Sequence, residues 1–252
     1  MGSVLITGAS SGIGKACAEI FAKNGYNLIL NARRLDRLEE IANKLKSDRV
    51  KVFYKKTDMS KKDDIFEFVE SIPKDFYPID ILINNAGLSR GLEPLDQGNI
   101  DDWDEMIDTN IKGVLIITKL IIPIMKKQGY GHIINLGSIA GHESYPGGNV
   151  YCATKAAIKS LTKSLRMDLI RTNIRVSSID PGMVETEFSE VRFRDAQKAK
   201  KVYENITPLY AQDIADVIYF IATRPKHVNI EDVIIMPTQQ ASVLINDRDY
   251  NK

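Results

Sequence analysis

The feature that most constrains this chain is a strict alternation of short apolar runs with longer helical stretches. VLIT (4–7), LILN (28–31), VKVFY (50–54), IDILIN (79–84), HIINLG (132–137), IRVSSID (174–180) and DVIIM (232–236) read as seven strands. They are nearly continuous in apolar residues and do not alternate apolar with polar. That is the pattern of strands covered on both faces, as in a parallel sheet. Helical periodicity fills the gaps near 12–24, 35–46, 61–71, 101–127, 151–171, 190–204 and 211–222. Repeated β–α units of this kind predict an α/β fold, a doubly wound parallel sheet of seven strands with helices on both faces. No repeat, low-complexity tract or long linker interrupts the pattern, so one domain over 1–252 is the expectation. The polar stretch 185–205 has few core-type residues and is the expected insertion.

The segment joining the first strand to the first helix is TGASSGIG (7–14). A glycine triplet alone is a weak signal, but here it has the strand–turn–helix context that a dinucleotide site needs. Gly8, Gly12 and Gly14 let backbone approach a pyrophosphate. Ala9, Ser10, Ser11 and Ile13 complete the turn and open the helix, whose free N–H groups and dipole favour an anion. An ordinary glycine-rich turn is the plain alternative.

The second strand ends in NARRLD. A dinucleotide with a free ribose 2′-OH is usually held by an acid about 20 residues beyond the glycine turn. Asn31 and Ala32 stand there instead, followed by Arg33 and Arg34. Two guanidinium groups suit a 2′-phosphate, which a carboxylate would repel. Arginines at a helix start oppose the helix dipole, so the alternative of two plain surface charges leaves them unexplained. The expected cofactor is NADP. Asp58 and Met59 close the third strand, where the adenine would lie. Asn85, Ala86 and Gly87 close the fourth, where small residues admit a ribose; singly, each of these is also a normal turn.

Gross composition excludes several classes. Net charge is +1 over 252 residues, so no strong field draws nucleic acid or an anionic membrane. The two cysteines, Cys17 and Cys152, and the three histidines, His132, His142 and His227, show no metal-ligand spacing, and no metal site is expected. No apolar run approaches the roughly 20 residues that span a bilayer. MGSVLITGAS runs directly into a strand without a visible cleavable signal. A reduced, cytoplasmic protein is the expectation.

YCATK places Tyr151 and Lys155 four residues apart, on one helical face. A phenol titrates near ~10, too high for a base at neutral pH, and a nearby cation favours its ionised form. The pair is either a solvated surface pair or an acid–base catalyst with its tuning charge.

Taken together, TGASSGIG, NNAG, Asn110 in DTN, Ser138 in NLGSIAG, YCATK and PGMVET (181–186) resemble the short-chain dehydrogenase/reductase family, in order and spacing, over essentially the whole chain. The resemblance implies a Rossmann-like sheet of order 3-2-1-4-5-6-7, hydride transfer to or from a nicotinamide, and commonly a homotetramer. It implies that Ser138, Tyr151, Lys155 and Asn110 form the catalytic set, with Asn110 anchoring a water that links Lys155 to solvent. The Ser138 hydroxyl would hold the substrate oxygen. Tyr151 and Lys155 would also reach the cofactor, and Pro181, Gly182, Val184 and Thr186 would support its nicotinamide.

NARRLDRLEE, LGSIAG, YPGG, VETEFSEVRFR and MPTQQAS further resemble the NADP-dependent 3-hydroxy acid dehydrogenases, which act on serine, allo-threonine and related β-hydroxy acids or the matching carbonyls. Such a substrate carries a carboxylate, and EVRFR (190–194) offers Arg192 and Arg194. Alternate spacing lets one of the two face the cleft, with Arg192 the chosen partner; two solvated charges is the plain reading. His142 and Glu143 border the same cleft. Competing readings are a 3-oxoacyl carrier-protein reductase, a general carbonyl reductase and a non-catalytic NADP(H) sensor. The sensor would be marked by loss of the tyrosine or the lysine.

Overall fold

A computed structural model describes residues 2–248. The domain expectation for residues 1 and 249–252 lies outside that range. Seven parallel strands form one sheet in the order β3-β2-β1-β4-β5-β6-β9. They are β1 (Ser3–Thr7), β2 (Asn27–Ala32), β3 (Val52–Lys56), β4 (Ile79–Asn84), β5 (Gly131–Leu136), β6 (Ile174–Pro181) and β9 (Asp232–Ile235). This is the implied order. The seventh sheet strand is β9 because a separate two-stranded ribbon, β7 (Val184–Glu185) with β8 (Leu209–Tyr210), intervenes.

The strands are buried on both sides because successive residues face opposite ways. Val4 and Ile6 enter one core with Phe21 of α1 (Gly12–Lys23), Leu38 of α2 (Leu35–Leu45) and Ile218 of α9 (Ala211–Ala222). Leu5 enters the other with Phe68 of α3 (Lys62–Glu70), Ile121 of α5 (Val114–Gln128) and Leu165 of α6 (Asn149–Asp168). Chain direction across the sheet reverses at β1, with β2 on one side and β4 on the other. The glycine turn follows β1, so it sits at the topological switch point, where doubly wound sheets bind ligands.

Two expected helices are more broken than their periodicity suggested. The 101–127 stretch is α4 (Ile100–Ile107), a π-helical turn (Asp108–Gly113) and α5. Gly113 packs there so closely that a Cβ would lie 2.4 Å from the Met59 carbonyl oxygen. The 190–204 stretch is α7 (Phe188–Phe193) and α8 (Ala196–Val202), parted at Arg194 with φ of 51°. Among the described residues, no helix is long and apolar enough to cross a membrane.

Candidate active site

The carboxyl ends of the strands open onto a cavity of about 550 Å³. Its floor is built by hydrogen bonds between neighbouring strand ends. Thr7 Oγ1 accepts from the N–H groups of Asn85 at 3.0 Å and Ala86 at 2.9 Å. Asn85 Nδ2 donates back to the carbonyls of Thr7 at 2.8 Å and Gly8 at 3.1 Å. Gly8 has φ of 68°, and a Cβ there would stand 2.9 Å from Ala86 Cα. The turn therefore accepts no side chain at that point. Helix α1 begins with no side-chain cap and no acid in its first turn, leaving its N–H groups open toward the cavity end lined by Ser10, Ser11, Gly12 and Ile13.

Arg33 and Arg34 line the same end. Arg34 donates to Ser11 Oγ at 2.8 Å and pairs with Glu187 at 2.7 Å; Arg33 pairs with Glu105 at 2.9 Å. Asp58, Met59, Asn85, Ala86, Gly87, Pro181, Gly182, Val184 and Thr186 line the cavity as well. Ala9 and Gly14 do not. Ala9 is fully buried, and a Cβ on Gly14 would fall 2.4 Å from the Gly8 carbonyl oxygen. Both support the turn from behind. These features fit a dinucleotide with a phosphorylated ribose: a glycine turn that excludes side chains, an uncapped helix start and two arginines at the end of β2.

At the other end, Ser138, Tyr151, Lys155 and Arg192 face one space. Lys155 Nζ lies 5.9 Å from the Tyr151 ring centroid and donates to the Leu136 carbonyl at 2.8 Å. Arg192 is closer to the tyrosine, its guanidinium carbon 5.1 Å from the Tyr151 centroid and 5.0 Å from that of Phe188. Burial pushes the Tyr151 phenol up to about 12, against the charge of Arg192 and a hydrogen bond from Ser138. Burial lowers Lys155 to about 8, opposed by the charge of Asp180. Arg192 is thus a cation beside Tyr151 that the YCATK spacing does not contain. Its charge opposes the effect of burial on the Tyr151 phenol.

Asn110 does not line the cavity. It sits in the π-helical turn, accepting from Leu88 N–H at 2.8 Å and donating to the Leu88 carbonyl at 2.8 Å and Thr154 Oγ1 at 3.1 Å. Arg194 points away to Asp102, at 2.6 Å, so of the two arginines only Arg192 reaches the cleft. His142 and Glu143 do not line it either; Glu143 accepts from the Val243 N–H at 2.9 Å. The sequence reading missed Tyr145, Phe188 and Val191, which wall the cavity around Tyr151, and Gln240, Val243 and Arg248 of the tail. YPGG hinted at the first; the tail carried no periodic signal.

A nucleotide turn at the switch point, with a serine, a tyrosine and a lysine converging beside it, defines a dinucleotide-dependent oxidoreductase fold. The family model for short chain dehydrogenases matches residues 3–197, and the chain belongs to that family. It is 49% identical over 241 residues, 94% of this chain and 93% of the relative, to a Schizosaccharomyces pombe protein named NADP-dependent 3-hydroxy acid dehydrogenase. It is 44% identical over 249 residues, 98% of each chain, to sulfoacetaldehyde reductase 2 of Chromohalobacter salexigens. Among solved structures, the closed form of serine dehydrogenase complexed with NADP+ superposes with a TM-score of 0.92 at 41% identity, covering 97% of this chain and 98% of that one.

Proposed function

We propose that this protein is an NADP-dependent oxidoreductase that interconverts small 3-hydroxy acids and the matching carbonyl acids. The observation that carries this reading is Arg192. It is a guanidinium beside the Tyr151 ring, and its Nε is buried without a hydrogen-bond partner among the described residues. A buried polar group without a partner is costly, and an anionic substrate would supply one. The relatives' names point the same way, since hydroxy acids and sulfoacetaldehyde both carry an anion one or two carbons from the reacting centre.

In this reading Gly8, Ser10, Ser11, Gly12, Ile13, Arg33 and Arg34 would hold the phosphates, and Asp58, Met59, Asn85, Ala86 and Gly87 would receive the adenosine half. Pro181, Gly182, Val184 and Thr186 would support the nicotinamide. The bound dinucleotide supplies a hydride carrier. Ser138 holds the substrate oxygen through its hydroxyl. Tyr151 gives a proton to that oxygen in reduction and takes it in oxidation. Lys155, still above neutrality at about 8, keeps its ammonium charge at pH 7 and favours the ionised phenol. Asn110 orders the turn behind Lys155. Arg192 fixes the carboxylate and adds its charge to that of Lys155.

We also propose one domain, a homotetramer and a cytoplasmic location. Exposed apolar side chains on helix and sheet faces support assembly: Leu115 on α5, Met167 on α6, Phe220 on α9 and Ile234 on β9. Sedimentation gives the assembly state directly.

The test is nicotinamide absorbance with serine, allo-threonine, 3-hydroxypropionate and an acetoacetyl thioester, each with NADP and NAD. Turnover of the hydroxy acids with NADP is expected. Dominant activity on the thioester, or preference for NAD, would replace this reading.

A further inference from the structure

Helix α6 carries Tyr151, Lys155 and Lys159 at successive four-residue steps, so all three share one face. The first two belong to the site described above. The third begins a partly buried chain of hydrogen bonds that ends on the buried Asp180. Lys159 Nζ donates to His142 Nδ1 at 2.6 Å. The other ring nitrogen, His142 Nε2, donates to Asp180 Oδ2 at 2.6 Å. Asp180 Oδ1 accepts from the Ser178 hydroxyl at 2.7 Å. A lysine on Nδ1 fixes the imidazole as the tautomer that donates from Nε2.

Asp180 is 1% exposed, and its carboxylate lies where position 137 would carry a side chain: a Cβ on Gly137 would fall 1.7 Å from Oδ1. Gly137 is the middle of the corner that ends β5. Its N–H donates to the Ile179 carbonyl at 2.8 Å. The residue before it, Leu136, offers the carbonyl that Lys155 holds, and the residue after it is Ser138. Asp180 therefore underlies the corner from which Ser138 projects and to which Lys155 is anchored.

We propose that Asp180, oriented by His142 and Lys159, is a positioning residue that holds the 136–138 corner and keeps a negative charge beneath Lys155, so that the ammonium beside Tyr151 stays charged. This rests on the acid–base reading of Tyr151 and Lys155 and not on the identity of the substrate. The groups facing Lys155 are Tyr151 on its own helix, the Leu136 carbonyl, Asn110 across Gly87, and Asp180 from β6. Arg192 adds its charge from α7 through Tyr151. Those facing Asp180 are His142, Ser178 and Asp232 of β9, with Lys159 behind His142. Burial and the Asp180 carboxyl push Asp232 up to about 6.

Ligand atoms of His142, Asp180 and Asp232 lie within 4.8 Å of one another, a spacing that also suits a metal ion. In this chain both imidazole nitrogens are already engaged, one of them by a lysine ammonium. Lys159 therefore supplies the positive charge that a metal would bring.

The experiment compares the parent with Asp180→Asn, His142→Ala and His142→Gln. It records the pH profile of kcat/KM on whichever carbonyl the parent reduces, the Kd of NADPH by fluorescence, and the pH dependence of Lys155 acylation in cofactor-free protein by mass spectrometry. Asp180→Asn keeps the shape and removes the charge. Its alkaline limb should move about one pH unit lower, with Lys155 acylation starting lower by the same amount and roughly a fivefold loss at pH 8 but little at pH 6. His142→Ala should move the alkaline limb and the acylation onset the same way, and His142→Gln, whose amide can donate to Asp180, should restore most of the shift. If Asp180→Asn does not fold, His142→Ala carries the test. An unshifted limb and unshifted acylation in these variants would overturn the inference. So would parent activity that a chelator abolishes and a divalent ion restores. Failure of the substrate assignment appears separately, as a parent inactive on hydroxy acids while still reducing another carbonyl.

Discussion

Arg192 and Tyr151 face each other across the cavity, guanidinium carbon to ring centroid 5.1 Å, while Arg192 Nη2 donates to the Tyr145 hydroxyl at 2.9 Å. The tyrosine hydroxyl holds one edge of the fork, and Nε is left buried without a partner. The arrangement points a preorganised cation at the space in front of Ser138 and Tyr151.

Arg192→Leu should raise KM for 3-hydroxy acids roughly 30-fold or more, because a buried charge partner is removed, and change KM for an uncharged secondary alcohol little. Arg192→Lys should recover part of the loss, since an ammonium supplies charge without the bidentate edge. Equal changes on both substrates in steady-state kinetics would remove Arg192 from carboxylate recognition.

Tyr151→Phe should lower kcat by about 10²–10⁴ while NADPH binds as in the parent, because the phenol moves a proton and the ring packing against Phe188 is kept. Stopped-flow turnover alongside fluorescence titration separates the two effects. Parent-like turnover in this variant would exclude Tyr151 as the proton donor.

Cofactor choice should lie with the arginines after β2. Arg33→Ser with Arg34→Ser should weaken NADPH binding about 10- to 100-fold and leave NADH binding nearly unchanged, on ~1.5–3 kcal/mol for a charge-assisted hydrogen bond. Glu187 stays paired through Arg37, so α7 keeps one of its ties to α2 in the variant. Calorimetric titration with both dinucleotides reads the ratio; equal weakening of both would point to collapse of the turn.

Stability should fall with acid because of His132, which lies outside the site. Its imidazole is 1% exposed, bonded to Ser177 Oγ at 2.8 Å, and burial lowers it to about 3. The folded chain refuses the proton that the unfolded chain binds below about 6.5, so stability is full above that pH. It then declines toward pH 3 by at most about 1.4 kcal/mol per unit. Urea midpoints at pH 7 and 5 measure the slope, and His132→Asn should flatten it. An unchanged slope would assign the acid sensitivity elsewhere.

Sequence by itself determined the sheet and the nucleotide end of the site. Strands such as VLIT and IDILIN are nearly continuous in apolar residues because both faces are covered, and that pattern is local. The glycine turn, NNAG and the arginine pair are short-range motifs whose chemistry depends on their own neighbours. Tyr151, Lys155 and Lys159 share a face by helical geometry alone.

Tertiary structure decided what long-range packing assembles. Nothing near Arg192 and Arg194 distinguishes them; a left-handed residue at 194 turns one to Asp102 and leaves the other against Tyr151. The break at 108–113 was invisible because Asp-Thr-Asn-Ile-Lys-Gly continues the helical period, while the close approach of Gly113 to the Met59 carbonyl is a tertiary contact. His142 and Asp180 show no shared spacing 38 residues apart, and meet because β5 and β6 are neighbours in the sheet. Charge balance around Tyr151 likewise follows from burial and from α7. Those quantities depend on which surfaces close over one another, and a one-dimensional pattern does not contain them.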